Sequence, residues 1–111
     1  PGSANFGQLT ISDGLKIWHE NVPLAGKPYR TLRWGKDVQL WFLEGREYRS
    51  NNDMPDGATK TIWGIEQKNW LINTMQQSDA TYKIIFSPTP IVGPDRGTKA
   101  DNHSNFAFKT I

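Results

Sequence analysis

The chain has 111 residues, close to the size of one domain, and its 36% hydrophobic and 22% charged residues argue against wholesale disorder. Its formal charge is +2, from 13 basic and 11 acidic residues that are interspersed, so it offers no basic block of the kind that binds nucleic acid or a membrane surface. It has no cysteine, which excludes disulfides and thiolate zinc sites, and no apolar run near the roughly 20 residues that a membrane helix needs.

In chain order, Pro1-Gly2-Ser3 reads as the remnant of a tag or protease site, leaving residues 4–111 as a single unit. Asp13-Gly14 opens a short amphipathic helix over Leu15 to Glu20, with Leu15 and Trp18 on one side. His19 on that helix reads as a partly exposed structural histidine. The Pro and Gly residues between Asn21 and Pro28 end the helix and form an ordered connector. Tyr29 to Trp34 alternates, Gly35-Lys36-Asp37 turns the chain, and Val38 to Tyr48 runs back, which predicts a β-hairpin. The consecutive apolar residues Leu40, Trp41, Phe42 and Leu43 predict a strand covered on both faces. Ser50 to Gly57 is a polar loop of turn formers. A helix follows from Thr61 or Gly64 to Gln77, with Ile62, Trp63, Trp70, Leu71 and Met75 as apolar members, and Ser78-Asp79 ends it. Tyr82 to Phe86 is a further short strand, expected to lie parallel to the Val38–Tyr48 strand through a right-handed crossover. The fold class is therefore α/β: a β-hairpin, a crossover helix and a parallel strand.

The chemistry concentrates after that last strand, where open α/β proteins place their binding groups. Asp95, Arg96, Lys99, Asp101, Asn102 and His103 crowd into one aperiodic tract. Arg96 is suited to grip phosphate oxygens as a fork and Lys99 as a point charge, while His103 is suited to protonate a leaving group. The same tract also reads, from its chemistry alone, as a solvated loop of turn formers and caps. Its spacing matches no recognised metal-ligand motif, so no residue is assigned to a metal. At the exit of the hairpin's second strand stand Glu44, Arg46, Glu47 and Arg49, which suit either a site rim or surface ion pairs of little energetic worth.

Several strings, in order, resemble one family. Tyr29 to Gly35 and then Leu43-Glu44-Gly45-Arg46-Glu47-Tyr48-Arg49 resemble the strand pair that closes on a Leu-Asp-x-Arg-x-Tyr-Arg signature in alkaline phosphatase D-like metallophosphatases. Trp63-Gly64, Glu66-Gln67, Trp70-Leu71 and the stretch from Ser78 to Lys83 resemble the helix and strand that follow. Thr89 to Arg96 and Lys99 to His103 resemble a segment of one subgroup, and Gly14 to Asn21 resembles the helix before the strands. The chain departs from the signature by carrying Glu44-Gly45 after Leu43, while Arg46 matches the strand-end arginine.

The resemblance implies a calcineurin-like metallophosphoesterase, a layered α/β sandwich in which metals activate water against a phosphate ester. It implies Ca, Fe, Mn or Zn in the full-length family, a phosphate-ester substrate, and an extracellular or cell-envelope location. The family's metal-ligand motifs flank the stretch that this chain resembles. The expectation is therefore an incomplete subdomain, inactive alone, that holds substrate through Arg46, Asp95, Arg96, Lys99, Asp101 and Asn102 with His103 as the proton donor. A non-catalytic binding module derived from that fold is the alternative, and self-association through exposed apolar faces is expected of either.

Overall fold

The computed structural model describes residues 7, 9–24, 26–52, 54–55, 57–89 and 91. Its first helix, α1 (Ile11–Asn21), begins earlier than the amphipathic pattern implied. The reason is a capping box: the Thr10 hydroxyl accepts the Asp13 N–H at 3.1 Å, and the Thr10 N–H donates back to Asp13 Oδ2 at 2.9 Å. Asp13 is thus the acidic third residue of the helix rather than its opener. No residue of α1 is buried, and Ile11, Ile17 and Trp18 are exposed, so local capping rather than packing holds this helix.

The hairpin forms as its pattern predicts. Strand β1 (Arg30–Trp34) pairs antiparallel with β2 (Val38–Phe42), and Trp34 opposes Val38 across the turn. Gly35 has φ +64, a left-handed conformation that glycine adopts without strain. Arg33 clamps the turn from its side by donating to Gly35 O at 3.1 Å and to Lys36 O. Its guanidinium also meets Asp79 at 2.8 Å, which ties the turn to the segment leading into the third strand.

Helix α2 (Gly64–Gln77) carries the chain back so that β3 (Tyr82–Phe86) lies parallel to β2, giving a three-stranded mixed sheet of order β1-β2-β3. The start at Gly64 resolves the two alternatives, because the Thr61 hydroxyl accepts the N–H groups of Trp63 and Gly64 from outside the helix. The hairpin turn also receives β3 directly, since Tyr82 N–H donates to Asp37 O at 2.7 Å and the Thr81 hydroxyl donates to Asp37 Oδ1.

Trp41 centres the core and is fully buried. Around it lie Leu43, Ile62, Trp63 and Leu71, with Trp70, Met75, Ile85 and Ile91 at the margin. Its indole N–H donates to the Thr74 hydroxyl at 2.9 Å, and that hydroxyl donates in turn to Trp70 O at 2.8 Å, so the one polar atom of the residue stays satisfied. Behind the core, the loop after Arg49 is closed by Ser50 N–H to Thr61 O at 2.8 Å. Buried Lys60 donates to the carbonyls of Asn52 and Met54.

Two expectations differ from the structure. Strand β2 ends at Phe42 rather than Tyr48, because the backbone beyond it turns onto its own Glu44 side chain. Among the described residues the sheet is also covered on one face rather than both. Thr31, Gln39, Trp41 and Ile85 face α2, whereas Leu40 and Phe42 on the other face are only half-buried and Ile84 is exposed.

Candidate functional site

The carboxyl ends of the parallel pair β2 and β3 come together, which is where this kind of sheet places ligands. Leu43 N–H donates to Phe86 O at 2.9 Å and so extends the ladder one residue past β2. Next in the chain, the buried Gln67 of α2 clamps Glu44: Oε1 accepts the Glu44 N–H at 2.8 Å and Nε2 donates to Glu44 O at 2.9 Å. The Glu44 carboxylate then folds forward and accepts the N–H groups of Arg46 and Glu47, each at 2.7 Å. This turn projects Arg46 into solvent, and among the described residues no carboxylate pairs with its guanidinium.

Gly45 sets how closely the two strand exits approach. An alanine methyl there would lie 2.8 Å from Thr89 Oγ1 and 3.1 Å from Pro88 Cγ. Thr89 is itself buried, and its hydroxyl oxygen has no hydrogen-bond partner among the described residues. The chain leaving β3 is therefore pressed against the Arg46 turn. Asp95, Arg96, Lys99, Asp101, Asn102 and His103 lie outside the described residues, so Arg46 is the one expected site residue with a described position.

Beside this turn is a concavity of about 240 Å³ with aromatic walls, Tyr29, Tyr48 and Trp63, over the first turn of α2 from Gly64 to Gln67. Tyr29 meets Tyr48 edge-on with ring centroids 6.0 Å apart and tilts against Trp70 at 4.7 Å. At the rim Lys27 pairs with Glu66 and sits 5.6 Å from the Tyr29 ring centroid. Burial, and then the neighbouring Glu47 carboxylate, push the Tyr48 phenol up to about 12, so it is neutral at physiological pH. Gly64, with φ +72, brings α2 against Tyr48, because a methyl there would lie 3.1 Å from the Tyr48 Cβ.

Sequence reasoning did not find this wall. Tyr48 and Gln67 stand in the sequence as members of strings that resemble the family, with nothing to bring them together; the signal that joins them is Gly64 at the helix start. Chemically, the concavity suits a planar or apolar group and the Arg46 turn suits an anion. His19 approaches the same turn from α1, its Nε2 within 3.9 Å of Glu47 Oε2.

A family model described as PhoD-like phosphatase matches residues 5–109. The chain belongs to the PhoD-like phosphatase family. Neither curated proteins nor solved structures yield a significant match. In this PhoD-like chain the matched span includes Arg46 and the whole tract from Asp95 to His103. Among the described residues no three His, Asp or Glu side chains gather as a metal site. Among the described residues, too, no helix is long and apolar enough to cross a membrane.

Proposed function

We propose that this PhoD-like chain supplies the substrate-holding side of a phosphoric ester hydrolase acting on a phosphomonoester or phosphodiester. The family match across residues 5–109 is the observation that carries this reading. In it Arg46, at the turn beyond β2, and Arg96 and Lys99, from the tract after β3, grip the phosphoryl oxygens. Asp95, Asp101 and Asn102 line the pocket, and His103 gives its proton to the leaving alkoxide as water oxygen bonds to phosphorus and the ester P–O bond breaks, the water's protons staying on the phosphate product until solvent or the neutral His103 takes one back. The metals of the family, Ca, Fe, Mn or Zn, take their ligands from groups other than the described residues, and no step is assigned to them. Residues 4–111 then act as one incomplete subdomain of a layered metallophosphoesterase sandwich, inactive alone. The aromatic concavity beside the Arg46 turn favours a second reading, a non-catalytic module that binds a ligand with a planar group.

Two measurements separate these readings. The chain should not hydrolyse p-nitrophenyl phosphate or bis-p-nitrophenyl phosphate with added Ca²⁺, Fe³⁺, Mn²⁺ or Zn²⁺, yet should bind inorganic phosphate by calorimetry or NMR titration. Arg46→Ala and Arg96→Ala should each weaken that binding about tenfold, the loss of one charge-assisted hydrogen bond of about 1.5 kcal/mol. Metal-dependent turnover abolished by His103→Ala would show that the chain is active alone. Phosphate binding that is absent, or indifferent to both arginines, would remove the substrate-side role.

A further inference from the structure

The two faces of the sheet differ. The face toward α2 holds the fully buried Trp41. On the other, the middle register row is Leu32, Leu40 and Ile84, and the row at the turn end is Trp34, Val38 and Tyr82. The third row is Arg30, Phe42 and Phe86, in which the two phenyl rings stack at 4.9 Å and the guanidinium lies 5.0 Å from the Phe42 centroid. Eight of these nine residues are apolar, yet Trp34 is 70% exposed, Tyr82 63%, Phe86 49%, Leu32 47% and Ile84 44%. Aromatic side chains carry about 150–250 Å² each, so among the described residues the face leaves on the order of 600 Å² of contiguous apolar surface uncovered. That is at the upper end of what a single soluble chain exposes.

We propose that this face is a self-association surface, on which a second copy of the chain packs sheet against sheet about a two-fold axis. Area supports this occupant. Two such faces together bury on the order of 1,200 Å², the lower bound for a specific and stable protein interface. Charge supports it as well. The single charged residue of the face is Arg30, which sits at one end and already lies over Phe42, so two copies related by a two-fold axis that sets their strands antiparallel keep their Arg30 side chains apart. Geometry agrees with both: flat apolar sheet faces pack about 10 Å apart with strands near 30°, and the centre of this face is the small aliphatic row Leu32, Leu40 and Ile84, flanked by aromatics. Pairing through the β1 edge is a different mode, and it would leave the same apolar face uncovered.

Sedimentation velocity across about 1–200 µM tests the proposal. The expected result is a concentration-dependent monomer–dimer equilibrium, accompanied by a blue shift of tryptophan emission as Trp34 leaves water. Trp34→Glu and Ile84→Lys should each raise the dimer dissociation constant tenfold or more. Ile72→Lys, which charges an exposed apolar residue of α2 instead, should leave it unchanged. Circular dichroism checks that each variant is folded, and Tyr82→Lys, at an exposed edge position, replaces any that is not. A chain that stays monomeric at the highest concentration, or binds a hydrophobic dye there without dimerising, overturns the proposal and leaves the face to another occupant. A dimer that survives Trp34→Glu and Ile84→Lys, or dissociates with Ile72→Lys, overturns it in favour of another contact.

Discussion

At the scale of single residues, two side chains hold the candidate site in shape. Gln67 spends both ends of its amide on the backbone of Glu44, and Glu44 spends both carboxylate oxygens on the next N–H groups, so Arg46 projects from a turn with little freedom. Tyr48, two residues on, is the titratable group whose behaviour can be read out. Its phenol is raised from 10.0 to about 12, chiefly by burial and then by the Glu47 charge, so the folded state keeps its proton where the unfolded chain has lost it. The contribution of Tyr48 is therefore fully present below pH 10 and disappears as pH rises from 10 to about 12. The denaturant midpoint of the wild type should fall over that window more steeply than that of Tyr48→Phe, and the two should run parallel below it. Equal slopes throughout would mean that Tyr48 titrates as in water.

At the scale of elements, α1 and α2 stand on different physics. Helix α1 buries nothing and depends on its Thr10–Asp13 box. The Thr10 hydroxyl and backbone N–H both donate to the Asp13 carboxylate, holding its pKa below the ordinary value, so the cap persists at neutral pH and is lost as pH falls through that lowered value. Thr10→Ala should cost α1 about 1 kcal/mol and reduce its helical signal, while the midpoint of the cooperative core transition stays where it is. A shift of that midpoint would show that α1 is coupled to the core. Helix α2 is held instead by Trp41, Gln67 and Leu71. The local elements were legible in the sequence because turn chemistry and period are short-range: the Gly35 turn, the hairpin and a β3 parallel to β2 all appear as expected. Boundaries were less legible. Asp13 serves as the third helical residue of a capping box that starts at Thr10, and β2 stops where Glu44 captures backbone N–H groups, which no alternation of side chains announces.

For the whole molecule, one core residue carries a large share of the stability. Replacing Trp41 with Ala opens a cavity and removes the indole N–H that donates to the Thr74 hydroxyl, at about 3–5 kcal/mol. Domains of this size have about 5–15 kcal/mol in all. Trp41→Ala should lower the denaturation midpoint drastically or abolish the cooperative transition, and a variant as stable as wild type would show that the sheet does not depend on this core. The same scale holds the open face of the sheet. The run Leu40 to Leu43 implies two covered faces, and among the described residues α2 supplies one cover only.

The order of strands, the helix between them and the family resemblance followed from the sequence by itself, since each rests on residues within a few positions of one another. Only the tertiary structure decided that Glu44 is clamped by Gln67 from 23 positions away, that Tyr29, Tyr48 and Trp63 share a concavity, and that one apolar sheet face has no cover among the described residues. The reason is that side-chain period states which way a residue points, whereas what meets it there depends on segments that the chain brings back from far along its length.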